Sequence, residues 1–328
     1  GTSSSPGTGR AAAGTGDIAF TASNPGSGPV SGTVTVTPTF TYQGKGCPGT
    51  PAAFPVLVNP AGMVNPPGDR FVCNGLPASV TFSSPNTGGI TSYTWTNTNT
   101  TIGLAASGTG DIPAFNAVNT GTDPVVVTLT VTPHYAGPTL TCDGTPETFT
   151  LTVNPSAQVQ PPANLQLCHT EPTGLIQFTT LNTGGVNQYT WTNDLTSIGL
   201  AAAGTGDIPS FDAQNPGLSP VTAQITVTPW YSLGGETCSG TPETFSLMVN
   251  PAAQVNDIQN LEICNGITSN PVVFTTNRLG GTTTYQWTND LPAIGLAAAG
   301  TGNIPSFPAQ NSGLNPLVAQ ISVTPYFE

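Results

Sequence analysis

The sequence predicts an all-β protein built from tandem copies of one domain. Only 6 % of its 328 residues are charged, with four Lys and Arg against sixteen Asp and Glu and a formal net charge of -12. Helical surfaces are normally rich in Glu, Lys, Arg and Gln, so long charged helices are excluded. The 39 Gly and 33 Pro indicate frequent turns, and the Thr- and Val-rich stretches between them favour strands.

Internal repetition is the second observation. YTWTN at 93–97 returns as YTWTND at 189–194 and YQWTND at 285–290, and IGLAASGTGDIPAF at 102–115 recurs as IGLAAAGTGDIPSF and IGLAAAGTGNIPSF. The second half of that segment opens the chain as AAAGTGDIAF at 11–20, so four copies are present. A period of about 95 residues corresponds to one domain per copy. We predict a partial first repeat (1–60), complete second (61–155) and third (156–251) repeats, and a fourth repeat (252–328) without its last strand.

The third repeat shows the expected strands most clearly. Short segments rich in β-branched residues and bounded by Gly, Pro or Asn are predicted at 164–168, 175–180, 187–193, 197–202, 208–214, 221–229 and 243–249. Seven strands in about 95 residues fit an immunoglobulin-like sandwich. Alternation places Tyr189 and Trp191 on one face, and we expect Trp191, with Trp95 and Trp287 in the other copies, at the centre of each core.

The junctions between repeats are short and rich in proline. Each of the first three repeats ends in Val-Asn-Pro, at Pro60, Pro155 and Pro251. Proline restricts the backbone and extends the chain, so the spacers predict a semi-rigid rod. The partial repeats at either end predict either a window on a longer repetitive polypeptide or a neighbouring chain that donates the missing strand.

Six cysteines fall into two recurring positions. Cys73, Cys168 and Cys264 precede the second strand of a repeat, and Cys47, Cys142 and Cys238 precede the last one. This regularity predicts structural disulfides and an extracellular, oxidising location. Pairing within a repeat (Cys73 with Cys142, Cys168 with Cys238) is favoured, and pairing across a junction, such as Cys73 with Cys238, is the alternative. Zinc is disfavoured because no Cys-x-x-Cys occurs.

The composition argues against several functions. Four cationic side chains cannot neutralise a row of phosphates, so nucleic acid and anionic membranes are excluded as partners, and no apolar run is long enough to span a bilayer. His134 and His169 do not recur among the repeats, and we expect no enzyme, cofactor or metal site. Asp17, Asp111 and Asp207 occupy a GTGD turn that has Asn303 in the fourth copy, which favours a turn-forming role over calcium binding.

Aromatic pairs end the penultimate strand of each repeat. The candidate contact residues among them are Trp230, Tyr231, Tyr135 and Tyr326. Exposed aromatics can stack on sugars or anchor a partner, whereas buried ones would pack against the next domain. The pairs therefore leave two alternatives open: a carbohydrate- or polymer-binding array, or junction packing between neighbouring repeats or copies of the chain.

The runs YTWTNDLTSIGLAAAGTGDIPSFDAQN, TAQITVTP and CSGTPETFSLMVNP resemble PKD-like, immunoglobulin-type repeats of very large Bacteroidota cell-surface adhesins, including the gliding-motility adhesin. The resemblance covers all four copies. It implies secretion to the cell surface and a structural role as a stalk or filament. Trp191-Thr192-Asn193-Asp194 departs from the acidic Trp-Asp-Phe-Gly-Asp-Gly turn of the PKD domain, so the resemblance does not extend to ion binding.

Overall fold

A computed structural model describes residues 2–3 and 13–328, with the backbone alone for Thr2–Ser3. The chain is all-β and divides into two compact units. The first comprises Gly1–Ala157, Asn182–Val186 and Tyr231–Cys238, and the second comprises Gln158–Leu181, Asn187–Trp230 and Ser239–Glu328. Part of the AAAGTGDIAF segment, at 11–12, lies outside the described residues.

The first thirteen strands belong to the first two repeats. They are β1 (Thr2–Ser3), β2 (Val30–Val36), β3 (Thr39–Tyr42), β4 (Lys45–Pro48), β5 (Ala52–Val58), β6 (Arg70–Cys73), β7 (Pro77–Val80), β8 (Ile90–Asn97), β9 (Ser107–Thr109), β10 (Ile112–Asn116), β11 (Val125–Ala136), β12 (Thr141–Asp143) and β13 (Glu147–Asn154). The second repeat forms a six-stranded sheet, β6-β13-β11-β8-β9 with β12 on β11, and a two-stranded sheet, β10-β7. In the first repeat, β1-β2-β5 and β3-β4 form two smaller sheets.

The third and fourth repeats contain nine further strands. They are β14 (Leu165–Cys168), β15 (Val186–Asn193), β16 (Ala203–Thr205), β17 (Val221–Leu233), β18 (Glu236–Ser239), β19 (Glu243–Asn250), β20 (Thr283–Asn289), β21 (Ala299–Thr301) and β22 (Ile321–Phe327). The third repeat forms a six-stranded sheet, β14-β19-β17-β15-β16 with β18 on β17. The fourth repeat forms the three-stranded sheet β21-β20-β22.

The second repeat is a sandwich whose two sheets enclose one core. Burial alternates along β11, which turns Val127, Leu129 and Val131 inward. Val80 and Ile112 face them from the two-stranded sheet. Strand β6 lies parallel to β13, from Leu151 opposite Arg70 to Asn154 opposite Cys73. The chain is thus a series of tandem immunoglobulin-like β-sandwiches.

Each predicted core tryptophan lies in a different cluster. Trp95, Trp191 and Trp287 are almost fully buried and belong to the cores of the second, third and fourth repeats. Glycine at 108, 204 and 300 lies against the indole ring, because a Cβ there would come within 2.2–2.3 Å of the ring carbon Cζ2. A side chain at these positions would overlap the ring, which explains the small residue in the strand beside each tryptophan.

Three predicted strands of the third repeat differ in the structure. The segment 197–202 contains a 3-10 turn, Thr196–Ile198, that ends at Gly199 with φ of 96°. Ile198 and Leu200 are nonetheless buried, so this apolar run fills the core from a turn. Segments 175–180 and 208–214 make isolated bridges, including Ile176 to Ile208, although the matching segments of the second repeat form β7 and β10. The sequence also missed β16 and β18. Similar 3-10 turns occur at Thr100–Ile102 and Pro292–Ile294.

Candidate functional site: the junctions between repeats

A disulfide joins the second repeat to the third. Cys73 is bonded to Cys238 with a Cα–Cα distance of 5.5 Å, so the favoured pairing of Cys73 with Cys142 is wrong. Cys73 ends β6 beside Asn154, near the Val125 end of β11, whereas Cys142 pairs with Tyr135 near its other end. Ten residues of strand correspond to roughly 33 Å, far beyond the reach of a disulfide.

The remaining cysteines are thiols in the described chain. Cys47, Cys168 and Cys264 are exposed, and Cys142 is half-buried. The favoured pairing of Cys168 with Cys238 is therefore also wrong, since Cys238 is already bonded to Cys73. The two recurring cysteine positions are complementary across a junction, because the early cysteine of one repeat bonds to the late cysteine of the next.

A small apolar cluster surrounds this disulfide. Tyr231 is fully buried and packs with Ala157 and the two bonded cysteines. Its hydroxyl donates a hydrogen bond to the carbonyl oxygen of Thr183 at 2.9 Å. Burial, followed by the charge of Asp123, raises the pKa of the Tyr231 phenol. Asn154 adds a bond from its side-chain Nδ2 to the carbonyl of Leu233 at 3.1 Å.

The junction between the first and second repeats uses the same pattern. Tyr135 is fully buried, and its hydroxyl donates to the carbonyl of Thr87 at 3.1 Å. The Nδ2 of Asn86 donates to the carbonyl of Ser27 in the first repeat at 3.2 Å, and to the carbonyl of Ala61, at the start of the second repeat, at 3.1 Å. Each of these junctions is therefore held by direct hydrogen bonds as well as by a short linker.

Asn182 and Arg278 take the place of Asn86 at the following two junctions. The Nδ2 of Asn182 donates to the carbonyls of Ser156 (3.2 Å) and Thr122 (3.3 Å). Arg278 donates from a guanidinium nitrogen to the carbonyl of Gly217 at 2.6 Å. This recurrence could have been found in the sequence, because Asn86 and Asn182 precede the Thr-Gly-Gly motif of their copies.

The candidate contact aromatics fall into two groups. Tyr135 and Tyr231 point into the junctions and are closed to solvent. Trp230 is half-buried on the sheet surface and donates from Nε1 to the hydroxyl of Thr190 at 3.2 Å, while Tyr326 is 44 % exposed. Only Trp230 and Tyr326 of this set therefore present a ring to a ligand.

The acidic residues of the GTGD turn act as hydrogen-bond acceptors. An Oδ1 of Asp111, Asp207 or Asn303 accepts the backbone N–H of Phe82, Phe178 or Phe274 at 2.9 Å in each case. Asparagine serves as well as aspartate because the bond uses an oxygen acceptor and no charge. Within the described residues, no three His, Cys, Asp or Glu side chains are placed to hold a metal ion.

The two histidines have different surroundings. The Nδ1 of His169 accepts the backbone N–H of Asn215 at 3.0 Å, as Asn74 does for Asn119. The His134 ring lies between the hydroxyl of Thr94 (2.9 Å) and the carboxylate of Asp143 (2.6 Å). This order resembles a nucleophile–base–acid triad. In the same register of the third repeat, Trp230 binds Thr190, so the shared feature is a cross-strand hydrogen bond without a base.

No protein-family model and no curated protein matches the chain. Similar solved structures include Dpr2 Ig1-Ig2 in complex with DIP-Theta Ig1-Ig3 (8 % identity, TM-score 0.31, 80 % of this chain and 98 % of that chain). The human desmocollin-1 ectodomain is also similar, with 12 % identity and a TM-score of 0.24 over 90 % of this chain and 64 % of that chain. The insect immune protein hemolin is similar with 6 % identity and a TM-score of 0.26 over 81 % of this chain and 76 % of that chain. The helices of the described part are all too short to cross a membrane.

Proposed function

We propose that this chain is the repeat region of an extracellular adhesion-type protein and acts as a semi-rigid stalk. The observation that carries the proposal is the disulfide from Cys73 to Cys238, which crosses the junction between two sandwiches. Disulfides form and persist in oxidising compartments, which supports an extracellular location. The low charge and the hydrogen-bonded junctions also fit a structural role, in which the chain acts as a spacer and not as a catalyst.

The disulfide has a direct mechanical consequence. A chain pulled from both sides transmits tension through the bond from Cys73 to Cys238, so the intervening polypeptide is bypassed. The two cysteines are 165 positions apart, a length that includes most of the second and third repeats. Those repeats are therefore protected from extension even if they unfold.

We further propose that the repeats are related to the PKD-like repeats of large Bacteroidota surface adhesins, secreted to the cell surface and associated with gliding. The support is the extended resemblance of segments such as IGLAAAGTGDIPSF, which recurs along the chain. Neighbouring repeats and copies of the chain are the partners that this role implies.

Single-molecule pulling of the chain, tethered at both ends, tests the stalk function. With the 165-residue segment closed by the disulfide, full extension should be about 590 Å shorter than in the reduced chain, at roughly 3.6 Å per residue. The Cys73→Ser variant should show the reduced length without reductant. Equal lengths for the oxidised and reduced chains would refute the proposal.

A ligand-binding array is the second candidate, and the half-buried Trp230 and the exposed Tyr326 favour it. Glycan-array binding that is lost in Trp230→Ala, with an unchanged unfolding midpoint, would establish this function. Thr190→Ala serves as a control, because it removes the hydrogen-bond partner of Trp230 and leaves the ring. Binding that is absent, or equal in Trp230→Ala and the wild type, would exclude it.

A further inference from the structure

We propose that the outward face of the large sheet in the second repeat binds the surface of ice. The observation that carries this inference is a regular arrangement of hydroxyl side chains across neighbouring strands. The inference goes beyond the stalk function, because it gives one repeat a ligand of its own.

Hydroxyl side chains occupy adjacent outward positions on β9, β8, β11 and β13. The strands pair antiparallel, so residues directly opposite one another lie on the same face of the sheet. Three rows result: Thr109, Thr94 and Thr132; Ser107, Thr96, Thr130 and Thr148; and Thr128 and Thr150. We call these residues the threonine lattice.

The pleat of the sheet fixes the spacing of the threonine lattice. Neighbouring strands lie about 4.7–4.9 Å apart, and alternate residues along an antiparallel strand recur after about 6.8 Å. Water oxygens recur on the prism face of hexagonal ice at two perpendicular spacings that are close to these. A face whose hydroxyl groups repeat in both directions can therefore occupy several water positions of the crystal at once.

The hydroxyls of the middle row are available to water. Thr96 and Thr148 are exposed and Thr130 is half-buried, and their hydroxyls make no hydrogen bond to other described residues. The first row differs, because the Oγ1 of Thr94 contacts the Nε2 of His134 at 2.9 Å. A threonine hydroxyl offers one donor and two acceptor sites, so it can take the place of a water molecule in a hydrogen-bonded crystal.

Threonine side chains hold such a lattice in place. The branched Cβ restricts rotation about χ1, so the hydroxyl positions are set before the ligand arrives. This pre-organisation lowers the entropic cost of binding. The methyl group beside each hydroxyl adds apolar surface, around which water has restricted orientational freedom. Both properties favour ordered water over liquid water at this face.

Charged side chains stand only at the ends of the threonine lattice. Asp69 accepts the backbone N–H of Thr150 at 2.7 Å at one end. The pair formed by His134 and Asp143 lies beyond Thr132 at the other end. None of the four Lys and Arg or the sixteen Asp and Glu of the chain occupies a lattice position. Because an ionic group orients water around itself, the uncharged lattice is complementary to the uncharged face of a crystal.

The third repeat carries a less regular form of the same face. Thr190 remains opposite Thr205. The residues equivalent to Ser107 and Thr128 are Ala203 and Gln224, so a hydroxyl is lost in two rows. The second repeat is therefore the stronger site, and the third repeat provides an internal comparison.

Partition of the 328-residue chain into slowly growing ice tests the inference. The protein is mixed with serum albumin in dilute solution, and both proteins are then quantified in the ice and in the remaining liquid. The chain should be enriched in the ice at least fivefold over albumin. Thr96→Tyr/Thr130→Tyr should lower this enrichment at least threefold, because two rings at the centre of the lattice keep the crystal away from the other hydroxyls.

Two controls separate the lattice from a general effect of added rings. Ser79 is exposed on β7, in the two-stranded sheet of the same repeat, so Ser79→Tyr places a ring outside the lattice. It should leave the enrichment within twofold of the wild type. The same limit is expected for Thr192→Tyr/Thr226→Tyr, the equivalent pair in the interrupted face of the third repeat.

The variants are expected to fold, because tyrosine is favoured in strands. The midpoint of urea unfolding, measured for each variant, should equal that of the wild type. Thr96→Lys provides a second test that adds a charge and no ring. It should lower the enrichment at least twofold.

Three outcomes would overturn the proposal: equal partition of the chain and albumin, equal enrichment of the wild type and Thr96→Tyr/Thr130→Tyr, or an equal loss in either control. Retention on crystalline cellulose without enrichment in ice would also overturn it, since the lattice would then serve a polysaccharide. None of these results alters the shortened extension caused by the disulfide from Cys73 to Cys238. The stalk function and the ice-binding face can therefore fail independently.

Discussion

Replacing Gly204 with alanine tests the packing of the repeat core. The new Cβ would lie 2.2 Å from Cζ2 and 2.6 Å from Cε2 of Trp191, whereas carbon atoms normally approach to about 3.5–4.0 Å. The indole belongs to the buried core of the third repeat, and Gly204 of β16 is directly opposite Trp191 of β15. The ring cannot move aside without displacing the core, so β16 must shift.

The expected cost follows from measured overpacking. Inserting a methyl group into a close-packed core typically costs about 1–3 kcal/mol, occasionally more. The reduced freedom of the unfolded chain offsets about 0.4–1 kcal/mol of this. We therefore expect Gly204→Ala to lower the free energy of unfolding by about 2 kcal/mol, measured by urea denaturation with tryptophan fluorescence and by faster amide exchange around Trp191.

Gly14 provides a matched control for this measurement. It lies in the same heptapeptide, AAAGTGD, but a Cβ there meets no atom within 4 Å. Gly14→Ala should leave the stability within about 0.5 kcal/mol of the wild type or raise it slightly. If Gly204→Ala and Gly14→Ala had equal stabilities, the argument from indole contact would be refuted.

Three further predictions concern the polar groups. Asn215→Ala should lower the free energy of unfolding by about 1–3 kcal/mol, because it leaves the buried carbonyl of Val249 without its donor, and Asn311→Ala should cost less; equal losses in denaturant unfolding would contradict this. Asp207→Asn should have a free energy of unfolding within about 0.5 kcal/mol of the wild type, because Asn303 makes the same hydrogen bond in the fourth repeat. Calcium or EDTA should leave the midpoint of thermal unfolding unchanged, and a rise of that midpoint with calcium would contradict the acceptor role. Burial raises the pKa of four phenols, those of Tyr93, Tyr189, Tyr231 and Tyr285, so folding favours their neutral form. The resulting stabilisation is present below the unfolded pKa of about 10 and is lost as the pH rises through the folded pKa values. Ultraviolet titration should therefore show phenol ionisation at higher pH in the native chain than in the denatured chain, and superimposed titration curves would contradict this prediction.

Local sequence patterns predicted the strands in which inward-facing and outward-facing residues alternate regularly. In QYTWTN, the two-residue alternation predicted both β15 and the inward direction of Trp191. The same reasoning failed at 197–202, because Ile198 and Leu200 are apolar enough for a strand but enter the core from a turn. Apolar composition indicates burial, whereas the backbone conformation depends on Gly199 and its left-handed φ.

The candidate site was only partly predictable. The sequence indicated two recurring cysteine positions and aromatic pairs at the end of the penultimate strand, with junction packing as one of two alternatives for those pairs. It did not identify Asn86, Asn182 and Arg278 as junction donors, since their acceptors lie about 60 residues earlier in the chain. The carbonyls that receive these bonds are brought close by the meeting of two repeats, and no local pattern carries that information.

The sequence by itself determined the repetition, the all-β class and the burial of the three core tryptophans, because periodicity and side-chain chemistry are local properties. Only the tertiary structure decided the cysteine pairing. The parallel course of β6 along β13 carries Cys73 to one end of the sandwich, while Cys142 lies at the other. Cys73 therefore bonds to Cys238, which lies close to it in the folded chain, and not to Cys142 of its own repeat.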